Sequence, residues 1–278
     1  MKTLFLTLLL ASGLLPAATR PEMLVSSDWL SGHLTDPKVV LVHVSATRAA
    51  YDAGHIPGAR FLPQGDIAVT REGVHNELAD VPVLEKVFEG LGISNDTRVI
   101  VYSDASVLPA TRAYFTLDYL GHGDRTALLD GGLEKWRAEG RPLTKELPAV
   151  VSGHFTPKLK SEIVVRMAEV QNIKGSGQVL LDVRQASDFG AAHIPGATNL
   201  YWMGSQQSKD NQALKPNEDL MKLYGSVGVK PDSRVVTYCN SGMQASQSYF
   251  TLKYLGYDVR MYDGSMSEWN LKNGPTEK

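Results

Sequence analysis

The chain has 278 residues, of which 43% are hydrophobic, and 28 basic and 30 acidic side chains give it a formal net charge of -2. These values are typical of a globular protein, so they exclude wholesale disorder, and the lack of a basic excess argues against nucleic acid as the main partner. At roughly 100–200 residues per domain, the length predicts two domains, each with its own core. A single cysteine, Cys239, excludes an internal disulfide and any metal site built from several cysteines.

Residues 1–18 are predicted to be a signal peptide. Lys2 precedes an apolar run at 4–15, which is shorter than the roughly 20 residues of a membrane-spanning helix, and Ala17 or Ala18 would precede the cleavage site. We therefore expect a periplasmic or secreted protein with no stable membrane insertion after cleavage. An uncleaved anchor or a buried N-terminal helix is the alternative. In an oxidising compartment, a cysteine without a partner in its own chain favours a chemical role.

The rest of the chain is one unit written twice, because several segments recur in the same order. The clearest is His-Ile-Pro-Gly-Ala, which occurs at 55–59 and at 193–197. The repeat predicts two domains, at 22–140 and 160–278, with a proline-containing linker at 141–159. The other matching segments are 91–102 with 227–238, 114–121 with 249–256, and 129–136 with 262–269.

Each unit alternates short apolar segments with amphipathic ones. Short, continuous runs of β-branched residues are typical of central strands in a parallel sheet, because helices cover both faces of such a sheet. The order of strands and helices therefore predicts an α/β fold with a parallel sheet in each domain. Strands are predicted at 39–44, 99–102, 179–183 and 235–238, and helices at 110–120 and 245–255, each ended by a glycine (Gly121, Gly256).

The two units differ where the strand at 235–238 ends. There the second unit has a loop that begins at Cys239 and leads to a helix predicted to start at Ala245, whereas the first unit has Ser103 and no cysteine. Open α/β sheets bind ligands at the carboxyl ends of their strands. Backbone N–H groups and the helix dipole are expected to stabilise a thiolate and lower the pKa of Cys239. An inert, buried cysteine is the alternative.

The duplicated His-Ile-Pro-Gly-Ala, the Asp-Gly motif followed by Trp, and a cysteine loop in the second copy alone resemble the tandem-domain rhodaneses, the family of thiosulfate and 3-mercaptopyruvate sulfurtransferases. The resemblance covers residues 24–269. It implies two rhodanese-like domains, each with a parallel five-stranded sheet flanked by helices, of which only the second is catalytic. It implies that Cys239 takes a sulfane sulfur from a small anionic donor, becomes a persulfide, and passes the sulfur to cyanide or another thiophilic acceptor. It implies no metal and no organic cofactor.

The same resemblance suggests roles for further residues. Arg184 matches the arginine with which family members bind the donor, and Ser241 and His55 match donor-binding residues of the mercaptopyruvate branch. For Arg184 the alternative is an ion pair with Asp188, and for His55 it is a structural role in the turn before Pro57. The residues of the predicted active-site loop are Cys239, Asn240, Ser241, Gly242, Met243 and Gln244.

The loop gives conflicting indications about the donor. Thiosulfate-preferring members resemble Cys-Arg-Lys-Gly, so the neutral Asn240 and Ser241 favour a mercaptopyruvate-type loop. Met243 and Gln244, however, depart from the Val-Thr of that branch, and export favours thiosulfate because 3-mercaptopyruvate is an intracellular metabolite. We therefore favour thiosulfate as the donor.

Two functions of other classes are alternatives to sulfur transfer. A phosphatase with a related cysteine loop would carry an arginine where this chain has Ala245. An exported, non-catalytic sulfur carrier or binding module is the remaining alternative.

Overall fold

The computed structural model of the protein describes residues 19–278, so the predicted signal peptide lies outside the described residues. Within 19–278, no helix has both the length and the apolar composition needed to cross a membrane. In domain 1 the strands are β1 (Leu24–Val25), β2 (Val39–Ser45), β3 (Arg60–Pro63), β4 (Ala68–Arg71), β5 (Val74–Leu78), β6 (Arg98–Tyr102) and β7 (Thr126–Leu129). Its helices are α1 (Ser27–Ser31), α2 (Ala49–Ala53), α3 (Val81–Gly90), α4 (Leu108–Tyr119) and α5 (Gly132–Ala138).

Domain 2 repeats the pattern with shorter strands. Its strands are β8 (Val179–Asp182), β9 (Thr198–Asn199), β10 (Arg234–Tyr238) and β11 (Asp258–Met261). Its helices are α6 (Met167–Val170), α7 (Ala186–Ala191), α8 (Asn217–Gly225), α9 (Met243–Tyr254) and α10 (Ser265–Leu271). Short 3₁₀ turns lie at Pro21–Met23, Gln64–Asp66, Gly123–Arg125, Ser161–Ile163 and Trp202–Ser205.

The α/β fold with two parallel sheets is confirmed. The sheet of domain 1 has five strands in the order β1-β7-β6-β2-β3, and the sheet of domain 2 has the order β11-β10-β8-β9. The fifth position of the second sheet is taken by a single parallel bridge between Val164 and Met261, where domain 1 pairs β1 with β7. The strands β4 and β5 form a separate antiparallel hairpin that belongs to neither parallel sheet.

The predicted strands and helices are confirmed, with one shift at the helix starts. Both α4 and α9 begin two residues before their predicted positions at 110 and 245. In α4, Pro109 fits the first turn, where its missing N–H costs nothing. In α9, Gly242 lies in the left-handed region with φ 80° and caps the helix directly. Each helix is followed by a left-handed glycine, Gly121 or Gly256.

The two domains meet through α4 and α9, which carry the same Tyr-Phe-Thr-Leu segment. Tyr114 packs edge-on against Phe250 with ring centroids 4.8 Å apart, and Phe115 packs in the same way against Tyr249 at 5.0 Å. All four rings are fully buried, so the repeated segment packs against its own copy. The interface therefore fixes the starts of α4 and α9, and the loops before them, relative to each other.

A buried charge cluster joins the same two helices to Lys160, the first residue after the linker. Asp118 on α4 is fully buried; its Oδ2 accepts a hydrogen bond from Tyr249 at 2.6 Å and contacts Lys253 Nζ, and its Oδ1 accepts one from Lys160 at 3.2 Å. Burial raises the pKa of Asp118, but Lys253, Tyr249 and Lys160 together hold that pKa below its usual value. The carboxylate is thus charged and balanced across the domain interface.

Replacing Asp118 with Asn should lower the free energy of unfolding by about 3 kcal/mol, because the buried Lys253 ammonium loses its counter-ion. Since the pKa of Asp118 is lowered on folding, its contribution is present at neutral pH and is lost as the pH falls through the folded-state pKa, below about 3.9. Urea unfolding at pH 7 and at pH 3 measures both effects. As a control, Asp124→Asn removes an exposed partner of Lys160 and should change stability by less than about 0.5 kcal/mol. Equal losses for the two variants would contradict the assignment.

Candidate active site

Cys239 is the first residue after β10, and α9 begins four residues later at Met243. The predicted loop is therefore shorter in the structure: Met243 and Gln244 form the first turn of α9 rather than part of the loop. The cysteine is 1% exposed. It sits at the carboxyl edge of the sheet, at the N-terminus of a twelve-residue helix, where open α/β sheets place their ligands.

Four backbone N–H groups near the Cys239 sulfur favour its charged form, those of Ala245, Ser241, Gln244 and Gly242. Burial raises the pKa of the thiol, and the four N–H groups lower it, but the net result is a pKa above the usual range. The expectation of a lowered pKa is therefore wrong, because the loss of water around the sulfur outweighs the backbone dipoles. The N–H groups form an anion cradle whose full effect appears only when the sulfur carries a charge.

Ser265, at the start of α10, fixes the loop from below. Its Oγ accepts hydrogen bonds from the N–H of Cys239 at 3.2 Å and of Gly242 at 3.1 Å, and donates to the carbonyl of Tyr262 at 2.9 Å. Ser265 is a non-glycine residue in the left-handed region, with φ 51°. Such conformations are strained and persist where the surroundings enforce them, often at functional sites.

The matching position of domain 1 is also left-handed. It is Gly132, which has φ 57°, so both copies share one backbone conformation. Only the copy with the cysteine carries a side chain there, and that side chain binds the cysteine loop. In domain 1 a Cβ at Gly132 would lie 2.8 Å from the carbonyl oxygen of Ser103. The aligned repeat shows this Gly-to-Ser difference, so the role of Ser265 was open to detection from the sequence.

A buried ion pair from domain 1 supports the other side of the loop. Arg112 on α4 is fully buried, and its two terminal nitrogens donate to the two carboxylate oxygens of Asp263, the second at 3.1 Å. A Cβ on Gly242 would lie 2.7 Å from Asp263 Oδ1 and 3.1 Å from Arg112 Nη1. The loop therefore lies directly on this pair, and only glycine fits at 242, where φ is 80°. Sequence reasoning missed Arg112, because the repeat gives no sign of which residues meet across the interface.

The hairpin β4–β5 of domain 1 contacts the loop from above. Asn76 Nδ2 donates to Ser241 Oγ at 2.9 Å, and the N–H of Leu78 donates to Asp263 Oδ2 at 3.0 Å. The N–H of His75 donates to Ser267 Oγ at 3.2 Å. Ser241 is thus held by the other domain, and Asn76 is a second site residue that sequence reasoning missed.

Arg184 is 5% exposed and lies beside the end of β10, with its guanidinium 6.0 Å from the ring centre of Tyr238. Its Nε donates to both oxygens of Asp182 at 2.9 and 3.0 Å, and its Nη2 donates to Asp182 and to the carbonyl of Ala192. The partner is therefore Asp182 rather than the alternative Asp188. The structure places Arg184 next to the residue before Cys239 but engages two of its nitrogens within the domain.

The structure does not bring His55 to the cysteine. The ring stacks on Tyr51 with centroids 3.7 Å apart, and its nitrogens contact the carbonyl oxygens of Tyr51 at 2.8 Å and Glu146 at 3.2 Å. In the second copy, His193 stacks on Phe189 in the same way. These contacts fit the alternative, a structural role in the turn before Pro57, and the donor-binding role of His55 stays a prediction.

The loop at 103–107 of domain 1, which has no cysteine and is here called the silent loop, differs from the cysteine loop in what its N–H groups bind. The N–H of Ala105 donates to Glu134 Oε1 at 3.2 Å, and the N–H of Val107 donates to Gln212 Oε1 of domain 2 at 2.7 Å. Protein acceptors therefore already occupy this loop. Beside it lies a cavity of about 380 Å³, lined in part by Ser103 and Gln212 and by none of the residues 239–244.

Both halves of the chain match one known type of domain. Residues 26–139 and 166–272 each match the Rhodanese-like domain. A relative from Thermus thermophilus, named sulfur carrier protein TtuD, is 36% identical, and the alignment covers 93% of this chain and 97% of the relative. A relative from Saccharopolyspora erythraea, named "Putative thiosulfate sulfurtransferase", is 33% identical over 90% of this chain and 94% of its own length.

Solved structures show the same architecture. The anaerobic ergothioneine biosynthesis enzyme from Chlorobium limicola, in complex with trimethyl histidine, superposes with a TM-score of 0.82 and 22% identity, covering 92% of this chain and 70% of that chain. This likeness concerns the fold.

The reactivity of Cys239 should depend on pH in the sense set by its raised pKa. Alkylation by iodoacetamide follows the thiolate fraction, so in the donor-free protein its rate should still be rising at pH 9, above the ordinary thiol value of about 8.5. The same protein unfolded in urea is the control, and the midpoint of the rise of its rate with pH should lie near that ordinary pKa. A plateau below pH 8 in the folded protein would contradict a thiol that burial keeps protonated.

Replacing Ser265 with Ala should slow sulfur transfer about tenfold or more, because two buried N–H groups lose their acceptor at a cost of about 1–3 kcal/mol. Ser265→Gly should recover stability, since it removes the left-handed strain, but should not recover the rate. Ser233→Ala, which removes an exposed hydrogen bond to the N–H of Lys230, is the matched control and should keep the wild-type rate. Full activity in Ser265→Ala would mean that Ser265 does not position the loop.

Proposed function

The chain belongs to the rhodanese family, and we propose that it is a sulfurtransferase in which Cys239 accepts the sulfane sulfur of thiosulfate and passes it, as a persulfide, to cyanide or another thiophile. The observation that carries this proposal is the place of Cys239 between the end of β10 and the N-terminus of α9, with backbone N–H groups near its sulfur. An anionic sulfur bound to Cys239 would be stabilised there by the backbone and by the N-terminus of α9. The first domain has the same fold but lacks both the cysteine and the open cradle.

In the first step, Cys239 loses its proton and the thiolate attacks the sulfane sulfur of thiosulfate. A bond forms between Sγ and that sulfur, the bond from the sulfane sulfur to the sulfonate sulfur breaks, and sulfite leaves with the electron pair. In the second step, cyanide attacks the outer sulfur of the persulfide, thiocyanate leaves, and the thiolate is regenerated. Charges and electrons balance in each step without a cofactor.

The residues around Cys239 would serve this cycle in distinct ways. The N–H groups stabilise the negative sulfur, Ser265 and the Arg112–Asp263 pair keep the loop in place, and Ser241 offers a hydroxyl at the loop surface. Arg184 is proposed to attract the anionic donor: within residues 19–278 its Nε and Nη2 are bound to Asp182 and Ala192, which leaves Nη1 as the nitrogen that a donor would meet.

We propose thiosulfate rather than 3-mercaptopyruvate as the donor for two reasons. One relative described above is named "Putative thiosulfate sulfurtransferase", and the predicted export would take the protein away from an intracellular keto acid. The neutral Asn240 and Ser241 are the features that favour 3-mercaptopyruvate, so the two donors belong in one assay.

A sulfur carrier is the second candidate, and the 36% identical relative with that name favours it. A carrier would use the same persulfide but would hand the sulfur to a protein acceptor rather than turn over with cyanide. Loading by thiosulfate would then be stoichiometric, and thiocyanate would form slowly or not at all.

Intact mass of the purified protein, recorded before thiosulfate, after it and after cyanide, tests the proposal. We expect a gain of one sulfur atom that cyanide removes, and no gain in Cys239→Ser, which keeps the volume and removes the nucleophile. Ser103→Ala, in the silent loop, is the matched control and should load like the wild type. If neither thiosulfate nor 3-mercaptopyruvate loads the wild-type protein, the sulfurtransferase proposal fails; loading without turnover supports the carrier.

A further inference from the structure

Cys239 is buried, and a hairpin of the other domain lies against its loop. The cysteine is 1% exposed, although the proposed reaction requires a donor and then an acceptor to reach it. The segment that lies across the loop is the hairpin β4–β5 at 68–78, here called the lid hairpin. Its two ends continue into domain 1, whereas its inner face contacts the Cys239 loop and α10 of domain 2.

Three hydrogen bonds hold the lid hairpin on domain 2. Asn76 Nδ2 binds Ser241 Oγ at 2.9 Å, the N–H of His75 binds Ser267 Oγ at 3.2 Å, and the N–H of Leu78 binds Asp263 Oδ2 at 3.0 Å. Asn76 is the one of the three whose side chain reaches the cysteine loop itself. An apolar surface lies beside these three polar contacts, since a Cβ at Gly73 would lie 3.6 Å from Leu271 Cδ2 on α10.

The strands of the lid hairpin pair with each other and do not join the parallel sheet of domain 1. It has two strands, its register shifts between Val69 and Arg71, and Glu72 and Asn76 are left-handed non-glycine residues with φ 50° and 59°. A two-stranded hairpin alone is marginally stable in water, so its position depends on what it packs against. Its position is therefore fixed by the contacts with domain 2 described above, together with the packing of Val69 and Leu78 on the hydrophobic core.

We propose that the lid hairpin determines which molecules exchange sulfur with Cys239, and that Asn76 is its latch. Small anions such as thiosulfate and cyanide require only a slight displacement of the lid, whereas a bulky thiol requires the latch to open. The proposal rests on the proposed function in one respect, that Cys239 is the sulfur-accepting residue. It assigns a specificity-determining role to the domain that has no nucleophile.

The silent half of the molecule carries the same device and supplies a matched control. The segment at 206–214 of domain 2 covers the silent loop, with Gln212 Nε2 donating to the carbonyl of Ala105 at 2.7 Å and the N–H of Leu214 donating to Asp130 Oδ1 at 3.0 Å. The Leu214–Asp130 bond mirrors the bond from Leu78 to Asp263. Gln212→Ala therefore opens an equivalent cover that does not touch Cys239.

The test uses the single cysteine as its own reporter. The full chain is alkylated with N-ethylmaleimide and, separately, with N-(1-pyrenyl)maleimide, which has the same reactive group on a larger body. The rates are followed by intact mass for the wild type, Asn76→Ala, Ser267→Ala, the double variant and Gln212→Ala. Ser267→Ala removes the hydrogen bond from His75 without altering Ser241, so it loosens the lid by an independent route.

The ratio of the large-reagent rate to the small-reagent rate should rise several-fold in each single variant and tenfold or more in the double variant. In Gln212→Ala it should stay within twofold of the wild type. Unchanged ratios in both Asn76→Ala and Ser267→Ala would overturn the proposal, as would an equal rise in Gln212→Ala, which would indicate general loosening of the interface.

Alkylation needs no sulfur donor, so this result is independent of the proposed function. A protein that thiosulfate fails to load would refute sulfur transfer while leaving the lid intact. With loaded protein, the double variant should also shift acceptor preference from cyanide towards glutathione by a similar factor. An unchanged preference, alongside an unchanged alkylation ratio, would remove the lid hairpin from substrate selection.

Discussion

The packing of α4 against α9 is the constraint on which the other features depend. The repeated Tyr-Phe-Thr-Leu segment buries four aromatic rings against each other, and Asp118 adds a buried charge that Lys253 balances from the other domain. Because each helix begins directly after a strand-end loop, fixing the two helices fixes both loops relative to the opposite domain. The Cys239 loop therefore lies under the hairpin β4–β5, and the silent loop lies under 206–214.

Divergence between the two copies is concentrated at a few positions that act together. Arg112 on α4 matches Gln247 on α9, but Arg112 reaches across to Asp263 whereas Gln247 donates to Ser205 within its own domain. Ser265 matches Gly132 and ties the loop that Gly132 leaves free. The first domain has thus lost or never had the nucleophile, yet it supplies the cation under the loop and the cover above it. In the proposed cycle its role is positional rather than chemical.

The duplication predicted the fold well, because each strand and helix depends on local patterns that occur twice. It also located the cysteine, since a difference between two aligned copies is visible in the sequence. It left two roles open for His55, whose ring contacts the turn that Tyr102 also stabilises by accepting a hydrogen bond from the N–H of Ile56. Arg112 and Asn76 were invisible for a physical reason: their partners lie 151 and 165 residues away, and the packing of the domains alone brings them together.

The raised pKa of Cys239 and the N–H cradle around it are two consequences of one arrangement. Removing water raises the pKa of the resting thiol, and the same low dielectric strengthens every N–H interaction once the sulfur is charged. The resting site therefore favours the neutral thiol, and the N–H groups offset part of the cost of charging it; in the proposed cycle they would stabilise the thiolate and the persulfide. In the silent loop, Glu134 and Gln212 occupy the N–H groups of Ala105 and Val107, so this loop differs from the Cys239 loop in its cradle as well as in its nucleophile.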